Sequence, residues 1–516
     1  MEKYVSITNN ERICYETVNK CPICNSSIAP VEKSKFFNSD SKMYFFMFEC
    51  PACNKGFITH YNYTNERKIK NDILNFLNQD AKKKALLVTG ARQIGKTYII
   101  RECIKETTAS FVEINFIENK EAKRLFSDFK NTRDFLLRLS AFTEGELIKG
   151  ETIIFLDEVQ ECKEIVTAIK FLVEEGNYKY VLSGSLLGVE LKDIRSIPVG
   201  YLQVIEMYPM DFEEFCMANN VSQRILDSLK DCFINKKVVD EVVHEKMLEL
   251  FRLYLIVGGM PEVVKQYIDT NNLQNVIDLQ SQIIMQYKKD IAKYDPESKL
   301  YLEDIFDLIP SELNNKNKRF IMKNLNENFK LSRYENSFIW LKDAGVALPV
   351  FCVSEPMLPL LISKSTNLFK LFLADVGLLT AMYANGIQKK MLMNELNINY
   401  GAIYENVVAQ ELKCHGFNLF YYNNNRSGEL DFIIEYEDCV LPIEIKSGKD
   451  YERHVALNNC MKNPRYNIHE AFVFCNGNVN KKDNIIYYPI YMVTFLNKEK
   501  KLGDMLYKLD LSALIE

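Results

Sequence analysis

The sequence predicts a multidomain α/β protein with a parallel sheet in its core, and three observations support this fold class. Residues 84–89 (KALLVT) form an apolar strand that leads into a glycine-rich loop and then a helical run, a unit typical of parallel sheets. Two later apolar strands end in polar residues, at Asp157 and at Ser183. The chain of 516 residues is also long enough for about three to five domains.

The glycine-rich loop at residues 90–97 (GARQIGKT) matches the phosphate-binding pattern G-x-x-x-x-G-K-[ST]. Its glycines let backbone N–H groups cradle phosphate oxygens, and the following helix presents its positive end. Lys96 is placed to reach the β- and γ-phosphates, and the Thr97 hydroxyl to ligate Mg²⁺. We therefore expect ATP and Mg²⁺ as cofactors. The expected nucleotide contacts are Gly90, Ala91, Arg92, Gln93, Ile94, Gly95, Lys96 and Thr97.

A second apolar strand, within residues 152–159 (TIIFLDEV), ends in two carboxylates. A carboxylate at this position holds the hydration shell of Mg²⁺, and its neighbour can polarise the attacking water. We assign Asp157 to the metal and Glu158 to the general base, and we count Lys96 among the catalytic residues. The alternative is an ordinary strand followed by a surface acidic pair.

A third predicted strand, residues 180–182, ends in Ser183-Gly184-Ser185. Ser183 is placed where a polar side chain would sense the γ-phosphate between the other two strands, and a simple strand-ending turn is the alternative. The segment LSGSL superficially matches the signature of transporter ATPases. That signature precedes the acidic strand, whereas this segment follows it, so we reject that interpretation.

Composition narrows the class of protein. A hydrophobic content of 47% and a charged content of 26% are ordinary for a globular chain. No apolar run approaches the length of a membrane span, and the N-terminus lacks a signal-peptide core, which favours a cytoplasmic location without a membrane partner. The net charge of −5 does not favour nucleic-acid binding by the chain as a whole, although it leaves room for a local basic face.

Four of the fourteen cysteines form two C-P-x-C units in the N-terminal 62 residues. Two such turns can close a tetrahedral site, and the apolar run at residues 43–48 (MYFFMF) enters the second turn as a strand, as in a zinc ribbon. The alternative is a redox-active dithiol. A zinc ribbon over residues 1–62 would depend on Zn²⁺ for much of its stability and would contact nucleic acid or a protein partner. The predicted Zn²⁺ ligands are Cys21, Cys24, Cys50 and Cys53.

Several short motifs recur in the order seen in a large group of prokaryotic AAA+-related ATPases. They are GARQIGKT, FLDEVQ, LSGS, YPMDFEEF and LIVGGMPEVV, followed by DLIPSELN, FIWLKDAGV and LFKLFLADVGLL. The chain resembles this family over roughly residues 63–490. The resemblance implies an AAA+-like ATPase core at residues 63–220 and a helical lid at 221–297, with a Gly-Gly-x-Pro break between two lid helices.

The chain departs from the family at one position. Where the family usually has Gly-Arg, this chain has Gly200-Tyr201. The family arginine is a candidate finger for a neighbouring phosphate site, and Arg195 is a weak substitute for it here. Related cores often form rings, so a homo-oligomer is one expectation, which the missing arginine weakens.

Residues 298–390 are predicted to form a winged helix, with three short helices followed by strands near residues 347–353 and 369–372. The third helix would cover residues 333–342. The segment 314–319 (NNKNKR), together with Lys323, Lys330 and Arg333, supplies positive charge that could meet DNA phosphates. A solvated helical surface in a spacer between domains is the alternative.

The last predicted domain, residues 391–516, carries a second group of carboxylates. Glu405 lies on a helix, Asp431 begins a strand, and Glu444 and Lys446 project from the same face of another strand. These positions resemble the helix Glu, Asp and Glu-x-Lys of restriction-endonuclease-like domains, which the family carries at its C-terminus. The resemblance implies that Asp431 and Glu444 hold Mg²⁺ or Mn²⁺ and that all four residues are catalytic.

Two functional hypotheses follow. The first is an ATP-hydrolysing motor or switch that acts on DNA and cleaves it at the C-terminal centre. The second is a nucleotide-gated interaction protein whose nuclease-like domain is an inert binding platform. A small-molecule kinase is disfavoured because the paired carboxylates favour water as the phosphoryl acceptor. The five histidines show no ligand spacing and are expected to be structural or surface residues.

Overall fold

The computed structural model describes most of the chain after residue 66 and four strands before it. The described residues are 4–7, 31–38, 43–49, 56–62, 67–79, 84–107, 110–143, 147–185, 200–294, 299–315, 318–320, 337–338, 340–383, 386–393, 400–424 and 427–498. For residues 4–62, 291–294 and 299–301 only the backbone is described. No helix within these residues is both long and apolar enough to span a bilayer.

The N-terminal strands form a sheet of their own. They are β1 (Tyr4–Ile7), β2 (Val31–Asn38), β3 (Met43–Glu49) and β4 (Gly56–Asn62), in the order β1-β4-β3-β2. β1 is parallel to β4, and the other two pairings are antiparallel. β3 confirms the strand expected before the second C-P-x-C turn. The four predicted zinc ligands lie outside the described residues, so the zinc ribbon stays a prediction.

A five-stranded parallel sheet forms the core that carries the glycine-rich loop. Its strands are β5 (Ala85–Thr89), β6 (Phe111–Asn115), β7 (Ile153–Asp157), β8 (Lys179–Gly184) and β9 (Leu202–Glu206). Its helices are α1 (Ile69–Asn78), α2 (Lys96–Thr107), α3 (Lys120–Phe126), α4 (Thr132–Phe142) and α5 (Lys163–Glu175). The strand order is β6-β7-β8-β5-β9, and every pairing is parallel.

Both faces of this sheet are buried, which explains the unbroken apolar runs in its strands. In β5, Leu86 and Val88 enter one hydrophobic cluster with α1 and α2, while Ala85 and Leu87 enter another with α3, α4 and α5. The alternation follows from the two-residue period of a strand. Because parallel strands end at the same edge, the polar residues after β5, β7 and β8 converge there.

Helices follow the core. They are α6 (Phe212–Ala218), α7 (Gln223–Ile234), α8 (Glu241–Val257), α9 (Pro261–Thr270), α10 (Leu273–Tyr294) and α11 (Lys299–Asn314). The predicted Gly-Gly-x-Pro break lies between α8 and α9. At Gly259 an added Cβ would lie 2.0 Å from the carbonyl oxygen of Met210. Only glycine lets these two backbones approach so closely.

The C-terminal half is built on an eight-stranded mixed sheet. Its strands are β10 (Ala347–Val353), β11 (Lys364–Leu373), β12 (Phe420–Asn424), β13 (Gly428–Tyr436), β14 (Cys439–Ile445), β15 (Ala471–Cys475), β16 (Asn480–Lys482) and β17 (Ile485–Pro489). The order is β11-β10-β12-β13-β14-β15-β17-β16. Its helices are α12 (Val376–Ala381), α13 (Ile387–Leu392), α14 (Tyr400–Cys414) and α15 (Val455–Met461).

The sheet crosses the domain boundary that we expected near residue 390. β10 and β11 form the strands predicted near residues 347–353 and 369–372, but β10 also pairs in parallel with β12. Most β10 side chains are buried, which favours a strand with neighbours on both edges. Residues 299–314 form one helix where short helices were expected. Most of the remaining predicted winged helix, residues 321–336, lies outside the described part of the chain.

Candidate functional site

The glycine-rich loop joins β5 to α2 at the polar edge of the parallel sheet. Gly90 has a φ of 141°, and a Cβ there would lie 2.2 Å from the carbonyl oxygen of Met207. Met207 is fixed in turn, since its N–H donates to the Thr89 carbonyl at 2.8 Å. The first glycine of the motif is therefore required both for its backbone conformation and for the close approach of β9.

The Lys96 side chain folds back onto its own loop. Its Nζ donates to the carbonyl oxygens of Ala91 at 2.7 Å and Gly90 at 3.1 Å. Burial lowers the pKa of Lys96 to about 8, while the Glu158 and Asp157 carboxylates act in the opposite direction. An incoming anionic phosphate would favour the ammonium form. We therefore expect Lys96 to exchange its two carbonyl partners for phosphate oxygens.

Asp157 lies at the centre of a polar cluster at the ends of three strands. The Thr97 hydroxyl donates to Oδ2 at 3.0 Å, the Asn115 amide donates to the same oxygen at 2.8 Å, and the Ser183 hydroxyl donates to Oδ1. Burial raises the pKa of Asp157, and the Ser183 hydrogen bond partly offsets this. A buried carboxylate beside a threonine hydroxyl is an oxygen donor set that fits Mg²⁺.

Asn115 was missed in the sequence, although a signal for it exists. It is the last residue of β6, and the parallel register pairs it with Asp157. Only the strand order reveals that β6 lies next to β7. Ser183, in contrast, lies where the sequence predicted it, at the end of β8 between β7 and β5.

Glu158 follows Asp157 in the left-handed region, with a φ of 56°. Its Oε2 accepts hydrogen bonds from Gln160 Nε2 and, at 3.2 Å, from Ser185 Oγ. This backbone conformation turns the two adjacent carboxylates in different directions, with Asp157 buried and Glu158 partly exposed. Such a division is what a metal-binding carboxylate and a water-facing base require.

Helix α10, in the segment predicted as the lid, contacts the glycine-rich loop directly. Arg92 Nη1 donates to Asp290 Oδ1 at 2.6 Å, and Gln93 Nε2 donates to Gln286 Oε1 at 2.8 Å. The Tyr287 hydroxyl donates to the Arg92 carbonyl at 3.0 Å. The nucleotide loop and α10 are therefore linked by polar contacts.

Tyr201 occupies the position where the resembling family has an arginine. Its hydroxyl donates to Glu174 on α5 at 2.5 Å. Arg195, the weak substitute, lies outside the described residues. The described part of the chain therefore supplies no arginine finger at this position.

The structure brings the four predicted residues of the C-terminal centre together. The register that pairs Phe432 with Ile443 places Asp431 beside Glu444 at the end of the β13–β14 ladder. Asp431 Oδ2 accepts the backbone N–H of Ile445 at 2.8 Å, and Lys446 Nζ donates to Glu444 Oε1 at 2.6 Å.

The carboxylates of this centre influence one another. Burial raises the pKa of Asp431 well above its ordinary value, and the charges of Glu405 and Glu444 raise it further. Burial also raises the pKa of Glu444, against the effect of Lys446. A divalent cation between Asp431 and Glu444 would relieve this repulsion.

Two lysines that the sequence did not assign to this centre also enter it. The buried Lys370 donates to Glu405 Oε2 at 3.2 Å and lies 2.9 Å from Glu429 Oε1. Lys318 also donates to Glu405. Burial acts to lower the pKa of Lys370, but Glu405 and Glu429 raise it above its ordinary value, so it stays an ammonium.

The basic segment at residues 314–319 therefore differs from its predicted role. Lys318 pairs with Glu405, and Arg319 Nη2 lies 3.6 Å from Glu429 Oε2, so both face carboxylates instead of phosphates. Lys316, Lys323, Lys330 and Arg333 lie outside the described residues. The DNA contact predicted for this region therefore stays a prediction that rests on those four residues.

Glu444 retains one oxygen for a further ligand. Its Oε2 is buried and has no hydrogen-bond partner among the described residues. Because an unpaired buried carboxylate oxygen is costly, this atom is a suitable place for a cation to bind. The nearby His454, expected to be structural, is buried and its Nε2 lies 2.7 Å from the Tyr487 hydroxyl. Its positive form would lower the pKa of Glu444.

A third titratable cluster joins the ATPase core to α14. Asp211 Oδ2 accepts Lys68 Nζ at 2.6 Å and lies 3.2 Å from His415 Nε2. Glu411 Oε1 accepts the backbone N–H of Phe212 at 2.8 Å. These contacts hold the start of α6 against the helix that carries Glu405.

Comparisons with known families agree with the geometry of the core. Residues 82–216 match the family described as AAA domain. Residues 248–390 and 400–493 match two domains of unknown function, DUF8612 and DUF4143 respectively. With the parallel sheet and its phosphate-binding loop, the first match defines an AAA-like P-loop ATPase domain within a mixed α/β chain.

Three solved structures illustrate what the chain is similar to. A Walker-type ATPase of Pyrococcus abyssi is 14% identical, with a TM-score of 0.39, and the match covers 62% of this chain and 96% of that one. A Thermotoga maritima RuvB variant is 13% identical at a TM-score of 0.27, covering 55% and 89%. PCH-2 of C. elegans is 14% identical at 0.25, covering 55% and 70%. No curated protein matches the chain.

Proposed function

We propose that the protein is an ATP-hydrolysing protein that acts on DNA and that its C-terminal centre cleaves a phosphodiester bond in a metal-dependent reaction. The observation that carries this proposal is the grouping of Asp431, Glu444 and Lys446 where the pairing of β13 with β14 ends, beside Glu405 on α14. A buried group of carboxylates with an adjacent ammonium suits phosphodiester hydrolysis better than it suits stability, because its like charges repel.

Each residue of the centre has a role in this proposal. Asp431 and the free oxygen of Glu444 would hold Mg²⁺ or Mn²⁺, which when bound supplies a Lewis acid and lowers the pKa of coordinated water. Lys446 would stabilise the negative charge that develops on the phosphate. Glu405 keeps Lys318 and Lys370 in place and completes the acidic group.

At the ATPase site, Lys96 would contact the β- and γ-phosphates, while Thr97 and Asp157 would hold Mg²⁺. Glu158 would accept the proton of the attacking water, and Ser183 would sense the γ-phosphate between β7 and β5. Because α10 contacts the loop through Asp290, nucleotide binding would change the position of the helical segment relative to the core.

The test is cleavage of supercoiled and linear DNA with Mg²⁺ or Mn²⁺. We expect the wild type to cut and Lys446→Ala to lose at least about a hundredfold in rate. Lys449→Ala is the matched control because Lys449 is a nearby exposed lysine, and we expect it to cut like the wild type. Equal cleavage by Lys446→Ala and the wild type would refute the assignment.

One observation favours the second candidate function, a nucleotide-gated interaction protein with an inert nuclease-like platform. Lys370 and Lys318 already neutralise Glu405, so part of the acidic group is balanced without a metal. In that case the N-terminal C-P-x-C segment and the C-terminal domain would hold partners. ATP hydrolysis without DNA cleavage under any metal condition would favour this function over the first.

A further inference from the structure

A continuous chain of hydrogen bonds links α10 to Glu158. Arg92 donates through Nη1 to Asp290 and, at 3.3 Å, through Nε to Ser185 Oγ. Ser185 Oγ donates in turn to Glu158 Oε2 at 3.2 Å. Gln160 Nε2 donates to the same carboxylate and, at 3.2 Å, to Ser185 Oγ.

The pattern of donors fixes the Ser185 hydroxyl proton. A serine hydroxyl has one proton to donate and two lone pairs that accept. Arg92 and Gln160 supply only N–H donors, so they use the lone pairs and leave the proton to point at Glu158. The Arg92 and Gln160 N–H groups therefore together direct the Ser185 proton toward Glu158.

The Arg92–Asp290 pair is itself held in a shielded place. The side chains are 18% and 14% exposed, and the two residues are 198 positions apart in the sequence. Asp290 Oδ2 is buried and has no hydrogen-bond partner within the described part of the chain. A shielded Asp with one unpaired oxygen is costly without its cation, so Asp290 strongly favours this position of Arg92.

We propose that Arg92 is a positioning residue for Glu158 and that it acts through Ser185. Asp290 of α10 holds the Arg92 side chain in the position from which it donates to Ser185. The inference rests on ATP hydrolysis with Glu158 as the general base and deepens that proposed function. A movement of α10 that separates Asp290 from Arg92 removes one of the two donors that orient Ser185. Glu158 is then held less firmly, by Gln160 and a Ser185 hydroxyl with one fewer donor, and hydrolysis slows while ATP still binds.

The test uses steady-state ATP hydrolysis by the full chain. Arg92→Gln and Ser185→Ala are each expected to lower kcat about tenfold, the effect of one hydrogen bond. The KM for ATP should change less than about threefold, because both substitutions leave the backbone N–H groups of the glycine-rich loop in place. The double variant should be no slower than Ser185→Ala alone, since both substitutions break the same chain.

A second pair of variants tests the link to α10. Asp290→Asn should lower kcat, and combining it with Arg92→Gln should cause no further loss. Because Ser185 is fully buried, Ser185→Ala could fail to fold. In that case the Asp290→Asn and Arg92→Gln variants replace the first pair in the test. Gln286→Ala is the control, because it removes another contact between α10 and the loop; its kcat should stay within about twofold of the wild type.

Two results would overturn the inference while leaving the ATPase function intact. If the losses in kcat of the single variants multiply in the double variants, the residues act independently. A raised KM with an unchanged kcat in Arg92→Gln would place Arg92 on the nucleotide phosphates instead. A wild-type chain that does not hydrolyse ATP would overturn the proposed function together with this inference.

Discussion

The ionisation of Glu411 reports on the contact between the ATPase core and the eight-stranded sheet. Burial and, to a lesser extent, the Asp211 carboxylate raise the pKa of Glu411 to about 7, and His415 opposes the shift. One of its oxygens, Oε2, is buried without a hydrogen-bond partner among the described residues. The folded protein therefore binds a proton at Glu411 more tightly than the unfolded chain does.

A pH dependence of stability follows from this shift. The protonated form stabilises the fold fully below the unfolded pKa, and this contribution is lost as the pH rises through the folded value of about 7. Glu411→Gln, which stays neutral, should therefore gain about 2 kcal/mol relative to the wild type between about pH 5 and pH 8. Thermal unfolding of both proteins at several pH values in this range measures the difference in their stability. A difference that is independent of pH would contradict the assignment.

Single residues were predictable where their chemistry depends on local sequence. Glu444 and Lys446 lie at the end of β14 and Asp431 lies within β13, two strands whose apolar patterns are visible, and Asp157 ends another such strand. Lys370 and Asp290 were not predictable, because their partners are distant along the chain: Lys370 pairs with Glu405 on α14, and Asp290 with Arg92 in the glycine-rich loop. A single sequence does not reveal pairings between distant charges.

Among the structural elements, the break between α8 and α9 connects three parts of the molecule. The Met210 N–H donates to the Gly259 carbonyl at 2.7 Å, and the Gly259 N–H donates to Asp375 Oδ2 at 2.6 Å. Asp375 also caps α12, accepting the Leu378 N–H at 2.9 Å. The core, the helical segment and the C-terminal half therefore meet at one glycine.

Gly259→Ala should be among the most destabilising small substitutions in the chain. The new Cβ would lie 2.0 Å from a backbone oxygen, and a backbone oxygen has no rotamer by which to move away. We expect a loss of at least about 3 kcal/mol in the free energy of unfolding. Gly448→Ala is the control, since nothing lies within 4 Å of its Cβ position. Equal thermal stability of the two variants would refute this account.

The positions of helices and strands were predicted better than the pairing of one strand with another. The apolar runs predicted β5, β7 and β8, and the glycine pair predicted the end of α8. The parallel pairing of β10 with β12 was not foreseen, because the segment between them contains three helices and periodicity does not identify strand partners. The predicted boundary near residue 390 consequently divides strands that belong to one sheet.

For the whole molecule, the N-terminal C-P-x-C segment predicts a structural metal. The protein should contain one equivalent of zinc, which Cys21→Ser or Cys50→Ser should remove. Because the segment depends on its metal, a chelator should increase proteolysis before residue 62 while leaving ATP hydrolysis within about twofold. Elemental analysis of the purified protein measures the zinc. A zinc content that is unchanged in both variants would contradict the predicted ligands.

The nucleotide loop also contacts the C-terminal half. A Cβ on Gly345, two residues before β10, would lie 3.1 Å from the backbone nitrogen of Ala91. β10 is part of the sheet that carries Asp431 and Glu444. We therefore propose that a change in the loop on nucleotide binding would reach that sheet through this close packing and would couple the two candidate centres.

The most direct test of this connection is the rate of metal-dependent DNA cleavage with and without ATP, in the wild type and in Lys96→Ala. The account predicts that ATP changes the wild-type rate by about tenfold or more, while Lys96→Ala cuts at the ATP-free rate under both conditions. Cleavage by the wild type at the same rate with and without ATP would show that the two centres are independent. Absence of cleavage in both proteins, with ATP hydrolysis intact in the wild type, would contradict the nuclease assignment itself.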